Sequence, residues 1–225
     1  MKATSTVMLA LLLLTFVTGL VDASSVLGLG HVFAANMTGN VVFLGFALAG
    51  QKIAAVPASL VALGCFTLGA IAGGRLVNVP TPPVLKVAFA LEVALLALAA
   101  ALALARAAEL VLLALLAVSM GLRNALVRKL AVPDMTTTVL TLTLTGLAAD
   151  SSPAGGANPR WRRRVGALVA MLLGAVVGAG LLPKGLGLVI ALATLIEALG
   201  AGLLIHPASQ DAKVTPEALL GQGGT

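Results

Sequence analysis

The sequence predicts an all-α polytopic membrane protein, with six transmembrane helices plus two short re-entrant helices in an inverted internal repeat. Three observations predict it: the apolar composition, the spacing of the apolar segments, and blocks of the first half that recur in the second. Hydrophobic residues make up 60% of the 225 residues and charged residues 10%, and the mean hydropathy is +1.10. A soluble domain of this length cannot bury so much apolar surface, so the surrounding solvent is lipid.

Apolar segments follow one another along the chain with short breaks between them. Six are long enough to cross a hydrocarbon core, which takes roughly 20 residues, and they lie at 6–23, 56–77, 84–105, 109–126, 165–182 and 186–205. Two further segments, 40–50 and 137–148, are short. The breaks carry turn residues, among them Pro57 and Pro183. The number of long segments therefore predicts six crossings.

The first segment has the features of a secretory signal peptide, because Lys2 precedes an apolar run that ends in small residues. The same pattern recurs in the middle of the chain, so we assign this segment to the fold. We expect one membrane domain over 1–205, with repeat halves at about 5–105 and 107–205. The polar composition of 206–225 predicts a disordered cytoplasmic tail.

Four blocks of the first half recur in the second half in the same order. They are GLVDA at 19–23 with GLRNA at 121–125, Met37-Thr38 with Met135-Thr136, LGAIAGGRL at 68–76 with LGAVVGAGL at 173–181, and Glu92 with Glu197. The offsets lie between 98 and 105 residues, so we infer an internal duplication. Each half then consists of a long segment, a short segment with a polar start, and two long segments.

The orientation of the two halves depends on whether the short segments cross the membrane. If they cross, the chain makes eight shorter crossings in a parallel repeat, with eight of the fourteen Lys and Arg residues inside. If they re-enter, six crossings remain and only Lys52, Arg106 and Lys184 lie outside. The positive-inside rule favours six crossings with both termini in the cytoplasm. Three crossings per half invert the second half, as in many secondary transporters.

The polar start of each short segment is a candidate site. We expect residues 25–39 to enter the membrane as irregular chain and to return as a short helix from Asn40, capped by Thr38 or Asn40. Gly39 is expected to allow a close backbone approach or a positive φ. Irregular backbone at this depth needs protein or a water-filled cavity around it.

Such a helix start, with uncapped amides, favours a carboxylate or a small anion. The other interpretation is that the polar groups only cap the short helices and hold them together. The candidates are Asn36, Thr38 and Asn40 in the first half, and Asp134, Thr136, Thr137 and Thr138 in the second.

Two glutamates lie inside apolar segments at equivalent positions of the repeat, Glu92 and Glu197. A buried glutamate must be protonated, paired or next to a cavity, because its ionised form is costly in the membrane. The pair predicts either proton or cation coupling, or a hydrogen-bonded structural pair across the pseudo-twofold axis.

Asp22 and its counterpart Asn124 end the first segment of each half and complete the candidates. Asp22 can bind a cation or accept hydrogen bonds from the amides of the chain that follows. Arg123 is expected to pair with an acid such as Asp134.

Two small-xxx-small motifs occupy equivalent positions, Gly69 with Gly73 and Gly174 with Gly178. Motifs of this kind let helices pack closely. We expect them to pack against each other or to form a homodimer contact.

Several function classes are disfavoured by the composition. Nucleic acid is not an expected partner despite the net charge of +6, because Tyr is absent and Trp161 is the single Trp. Cys65 is the single cysteine, so no intrachain disulfide or cysteine metal cluster is expected. HExxH and GxSxG motifs are absent from the sequence, and we expect no enzyme, cofactor or metal.

The stretches GLVDASSVLGLGHVFAANMTGNVVFLGFALAG at 19–50 and GLRNALVRKLAVPDMTTTVLTLTLTGLAAD at 121–150 resemble the signature regions of the YoaK family. This bacterial family consists of small multi-spanning inner-membrane proteins whose domain is of unknown function. The resemblance covers roughly 5–205 and implies a multi-pass protein of the bacterial inner membrane. It supplies neither an activity nor functional residues.

We therefore expect a small secondary transporter or exporter of a small polar or anionic solute, with proton coupling through Glu92 and Glu197 as one option. A non-transporting scaffold or accessory protein, or a channel, is the alternative. The expected partners are the lipid bilayer and a small solute.

Overall fold

The computed structural model describes residues 2–51, 55–78, 81–130, 140–158 and 160–205. Over these ranges the chain forms eight α-helices: α1 Lys2–Gly28, α2 Met37–Leu48, α3 Val56–Leu76, α4 Pro82–Leu104, α5 Glu109–Leu130, α6 Leu140–Ala149, α7 Trp161–Leu181 and α8 Leu186–Ile205. Single 3-10 turns lie at Ser152–Ala154 and Leu182–Lys184. The predicted tail and the second polar start, with Asp134, Thr136, Thr137 and Thr138, lie outside the described residues.

Six of these helices are long and apolar enough to cross a membrane: α1, α3, α4, α5, α7 and α8. The other two, α2 and α6, have 12 and 10 residues. Large apolar side chains are exposed around the bundle, including Leu48, Leu142 and Leu195 at 91%, 71% and 70%. Exposure on this scale requires an apolar solvent. The prediction of an all-helical polytopic membrane protein is confirmed.

Helix α1 is longer at its polar end than the sequence predicted, since it runs through Asp22 to Gly28. The hydroxyl groups of this end bond to the helix's own carbonyls. Ser24 Oγ donates to the Leu20 carbonyl oxygen at 2.8 Å, and Ser25 Oγ donates to the Asp22 carbonyl oxygen at 3.2 Å. Such bonds let serine remain in a buried helix, so the polar residues do not end α1.

The helices pair in a pattern that follows the sequence repeat. If α1 to α4 correspond to α5 to α8, the packing of α3 on α5 corresponds to that of α7 on α1. The contact of α4 with α5 likewise corresponds to that of α8 with α1, and α2 on α3 corresponds to α6 on α7. Helix α4 also packs against its own counterpart, α8. Each contact within this set therefore has an equivalent in the other half.

Helices α1 and α5 form the centre of the bundle. In each, 61% of the apolar span is buried, against 17–33% in the other four long helices. Their burial places the polar residues of α1 and α5 deep inside the protein. Thr18, Asp22 and Arg123 are all buried.

Close packing against these two central helices depends on glycine. A Cβ atom at Gly69 would overlap the Val118 carbonyl on α5, and one at Gly174 would overlap the Phe16 carbonyl on α1. Gly73 and Gly178 face the same two helices. The small-xxx-small motifs thus pack on α5 and α1 rather than on each other. Their surfaces are occupied within the chain, so a homodimer stays a prediction and needs another face.

Candidate functional site

The chain between α1 and α2 folds back along α1 and is held there by polar side chains. One carboxylate oxygen of Asp22 accepts a hydrogen bond from the Ala35 amide at 2.9 Å, and the other accepts one from Asn36 Nδ2. Ser25 Oγ accepts a bond from the Ala34 amide at 3.1 Å. Asp22 lies six residues before the end of α1, roughly 9 Å along the helix axis. The two predicted roles of Asp22 are to bind a cation or to accept hydrogen bonds from the amides of the chain that follows, and the structure shows the second.

Asn40 fixes the other side of this returning chain. Its Oδ1 accepts a hydrogen bond from the Phe33 amide at 2.9 Å, and its Nδ2 donates to the Phe33 carbonyl at 2.7 Å. The prediction that α2 begins at Asn40, capped by Thr38 or Asn40, is wrong. Helix α2 begins at Met37 after Asn36, which makes no side-chain capping bond. The earlier start places Asn40 in the first turn, from where its amide reaches back to Phe33.

Gly39 makes room for an aromatic ring, as the predicted close approach requires. A Cβ atom at this position would lie 2.7 Å from the Phe33 ring. The positive φ angles of this region occur elsewhere, at Gly30 (95°) and His31 (60°). The turn after α1 therefore lies at Gly30 and His31, and Gly39 serves packing.

A cavity of about 330 Å³ lies at the start of α2. Among the described residues, its polar lining is Asn36 and Thr38 from the first half and Asn124 and Thr141 from the second. The other described residues that line it are Ala35, Met37, Phe66, Leu140 and Met171. Phe66 and Met171 are separated by 105 residues, one of the offsets of the repeat. The cavity therefore lies between the two halves and receives polar groups from both.

A buried cluster of three charged side chains connects four helices near this cavity. Arg123 on α5 donates from Nε to Glu92 Oε1 on α4 at 2.5 Å, and from Nη2 to Glu197 Oε2 on α8. Its Nη1 donates to the Leu14 carbonyl at 3.0 Å and to Thr18 Oγ1 at 3.1 Å, both on α1. The side chains of Glu92, Arg123 and Glu197 are fully buried. The predicted pairing of the two acids is indirect, through one guanidinium.

Arg123 is the functional candidate that sequence reasoning missed. The sequence predicts that it pairs with an acid such as Asp134, and the six-crossing arrangement places it among the positive residues at the inner face. The structure places it in the interior of α5 against two glutamates, so it does not belong in that count. Without it, the six-crossing arrangement still leaves only three positive residues outside. A lone cation and two lone acids in apolar segments were the signal that could have found it.

The cavity and the charged cluster adjoin through neighbouring residues. On α5, Arg123 belongs to the cluster, and the next residue, Asn124, lines the cavity. On α1, Thr18 bonds Arg123, and one turn later Asp22 bonds Asn36 of the cavity lining. Asn40 does not line the cavity, since its side chain is buried against the returning chain, where it bonds Phe33. Within the described ranges, no group of three His, Cys, Asp or Glu residues is arranged to hold a metal ion.

Comparison with known proteins gives two findings on the family. The family described as "Protein of unknown function (DUF1275)" matches residues 10–203. The chain is also 40% identical over 151 residues to the UPF0700 transmembrane protein YoaK of Bacillus subtilis (strain 168). That alignment covers 64% of this chain and 66% of the relative, slightly less than two thirds of the relative's length. No solved structure gives a significant match.

Proposed function

The chain belongs to the DUF1275 family and is an integral, multi-pass membrane protein, and from that premise we propose that it is a small secondary transporter or exporter of a small polar or anionic solute. The observation that carries the proposal is the cavity of about 330 Å³ lined by Asn36, Thr38, Asn124 and Thr141. Secondary transporters bind their substrates at the interface of two structural repeats. A polar cavity between the halves of a duplicated membrane protein fits that position.

The order of contacts along the helices supports an inverted repeat, beginning with the helices around α1. On α7, Gly166 lies against Leu12 and Gly178 lies against Ala23, which is the order of parallel helices. On α8, by contrast, Leu186 lies against Gly28 and Gly200 lies near Ala10. These contacts run in opposite order, so α8 is antiparallel to α1.

The helices around α5 follow the same rule. Gly69 and Gly73 of α3 lie against Val118 and Ala125 of α5, so these helices run parallel. Helices α4 and α8 run antiparallel, since Leu104 lies against Gly187, and Glu92 and Glu197 bond the same guanidinium. In a parallel repeat of eight crossings, α4 and α8 would run in the same direction. Their antiparallel packing favours halves of opposite orientation.

These directions also support re-entrant short helices. Helices α1 and α4 are both antiparallel to α8, so they run in the same direction. The five residues between α3 and α4 are too few to cross the membrane, so α3 runs opposite to α4 and to α1. Helix α1 therefore ends at the membrane face where α3 begins, and α2 must enter and leave on that face. The same argument applies to α6 between α5 and α7, from the opposite face. Ala35 and Asn36, which directly precede α2, form hydrogen bonds to Asp22. Asp22 lies six residues before the end of α1, so α2 begins deeper in the membrane than the point where α1 ends. Two such helices, one from each face, are consistent with a site at the repeat interface.

The lining of the cavity suggests the class of solute. Its volume lies at the lower end of the range for ligand pockets, about 300–1,000 Å³, so the solute is small. Amide and hydroxyl groups from Asn36, Thr38, Asn124 and Thr141 can donate and accept hydrogen bonds. The start of α2 lies at the cavity without a side-chain cap, and the positive end of a helix dipole favours an anion.

The proposed location is the bacterial inner membrane with both termini in the cytoplasm. The start of α7 supports this orientation, since Trp161 is exposed there and Arg162 packs on its ring, 5.6 Å from the ring centroid. Tryptophan concentrates at the membrane interface and positive residues on its cytoplasmic side. The run Arg160–Arg164 contains four of the fourteen Lys and Arg residues of the chain.

A thermal-shift screen of the purified protein against small polar and anionic solutes tests the proposal. A solute that binds only the folded state raises the unfolding midpoint. We expect a solute that stabilises the wild type and no longer stabilises Thr38→Val or Thr141→Val. Valine keeps the shape of threonine and removes the hydroxyl group. Thr67→Val is the matched control, because Thr67 bonds its own helix at 2.7 Å and is exposed outside the cavity.

Counterflow in proteoliposomes then separates a carrier from a channel or a scaffold. Unlabelled solute is loaded inside, and labelled solute is added outside. A carrier takes up the labelled solute transiently above its equilibrium level, whereas a channel only equilibrates it. Absence of any stabilising solute, or an equal shift in the Thr38→Val, Thr141→Val and control variants, would contradict the proposal.

A further inference from the structure

The cluster of Glu92, Arg123 and Glu197 has an unequal number of opposite charges. With both acids ionised, two negative charges face one positive charge, and the cluster carries a net charge of −1. All three side chains are fully buried at the centre of a membrane protein. An uncompensated charge in such a place is strongly unfavourable. One bound proton makes the cluster neutral.

The free oxygens of the two acids also favour a proton. Glu92 bonds Arg123 through Oε1 and Glu197 bonds it through Oε2, so one oxygen of each carboxyl group takes no part in these bonds. Two ionised carboxylates are acceptors only, so they cannot bond to each other unless one of them is protonated. Glu92 Oε2 and Glu197 Oε1 are buried and have no hydrogen-bond partner among the described residues. A proton shared between the two acids supplies the missing donor.

We infer that Glu92, Arg123 and Glu197 form an occluded site for one exchangeable proton, which the two carboxyl groups share. In the transporter proposed above, this proton is the coupling ion, and that role alone rests on the proposed function. Binding is the addition of H⁺ to a carboxylate oxygen, and release restores the second carboxylate. The site is closed to solvent in this structure, so exchange requires a movement of α4 or α8 relative to α5.

The groups around the site explain how its proton can affect the cavity. Helix α5 contributes Arg123, and α4 and α8 contribute the two acids. Helix α1 contributes the Thr18 hydroxyl and, one turn further, the buried carboxylate of Asp22. Asp22 is bonded to Asn36 of the cavity lining. Loss of the proton adds a negative charge beside Arg123, and α1 and α5 connect that change to the cavity.

Infrared spectroscopy of the purified protein tests the proton directly and needs no solute. A protonated carboxylic acid has a carbonyl stretch that an ionised carboxylate lacks, and the band shifts in D₂O if the proton exchanges. We expect this band in the wild type at neutral pH and its complete loss in both Glu92→Gln and Glu197→Gln. Either substitution leaves a neutral pair of one acid with Arg123, which has no reason to bind a proton. Glu109→Gln, at an exposed position, and Asp22→Asn should both keep the band.

Absence of the band in the wild type, or its persistence in Glu92→Gln or Glu197→Gln, would overturn the inference. So would its loss in Asp22→Asn alone. If a variant fails to fold, labelling of glutamate with ¹³C in the wild type gives an equivalent test. The carbonyl band must shift on labelling if it arises from glutamate. A band that follows the expected pattern, together with no transported solute, would refute the proposed function and leave the proton site standing.

Discussion

At the scale of single residues, several polar side chains of this bundle form hydrogen bonds or ion pairs with buried groups that lipid could not satisfy. Asp22 and Asn40 form hydrogen bonds to the chain between α1 and α2, and Arg123 forms ion pairs with Glu92 and Glu197. A sequence reader can predict that Asp22, Glu92 and Glu197 have buried partners, because acids in apolar segments are costly otherwise. The identity of the partners depends on how α1, α4, α5 and α8 pack together. Local sequence patterns do not predict that packing. Arg123 and Glu197 are 74 residues apart in sequence.

Replacement of Arg123 by Gln should strongly destabilise the protein. Removing one partner of a buried ionic cluster leaves unpaired charge, which typically costs about 3–5 kcal/mol. We expect a large drop in the thermal midpoint in detergent. Arg75→Gln is the control, because Arg75 is an exposed residue near the end of α3. Combining Arg123→Gln with Glu92→Gln and Glu197→Gln should recover part of the loss, and a single variant as stable as the wild type would contradict the pairing.

Replacement of Asn40 by Ala should release the chain between α1 and α2. The Phe33 amide and carbonyl would both lose their partner, at a cost of about 1–3 kcal/mol for each buried group left unsatisfied. Hydrogen exchange should increase at residues 32–36 before it increases in the long helices. Asn158→Ala is the control, since Asn158 bonds Ser152 in an exposed loop. Unchanged protection at 32–36 would show that Asn40 does not hold this segment.

At the scale of helices, the predicted repeat corresponds to two equivalent close contacts, α3 on α5 and α7 on α1. The glycine motifs that permit them could be read from the sequence, and so could the helix positions. The bounds of α3 and α8 differ from the predicted segments by at most one residue. The sequence predicts a later start for α2 and an earlier end for α1, because polar residues such as those found there are typical of loops. In α1, Ser24 and Ser25 instead bond to carbonyls of the helix itself, whereas α2 begins at Met37 without a side-chain cap.

Replacement of Gly121 by Ala should disrupt the contact of α5 with α3. Its Cβ would overlap the Phe66 carbonyl. Because the contact is with backbone, the overlap can be relieved only if the two helices move apart. We expect a lower thermal midpoint and a smaller yield of monodisperse protein. Gly64→Ala, where a Cβ meets nothing within 4 Å, should be neutral or stabilising by up to about 1 kcal/mol, because alanine favours helix. Equal midpoints for the two variants would contradict the packing.

At the scale of the whole molecule, the directions of the helices decide how the two halves can work. In the proposed arrangement, halves of opposite orientation would bring one short helix from each membrane face to a shared cavity, and they would allow that cavity to open alternately to the two sides. Sequence alone could favour this arrangement only through the distribution of Lys and Arg. The order of glycine contacts along α1, α5 and α8 is an independent argument for it, and the two agree.

Cysteine accessibility at equivalent positions of the two halves is the measurement that tests this arrangement most directly. Cys65 is the single native cysteine, so Cys65→Ala gives a clean background for Gln51→Cys, after α2, and Ala154→Cys, after α6. Both positions are exposed. An inverted repeat places them on opposite membrane faces. A membrane-impermeant maleimide added to intact cells should label Gln51→Cys at once and Ala154→Cys only after permeabilisation. Labelling of both positions from the same side would require a parallel repeat, and the proposed re-entrant helices and shared site would then be wrong.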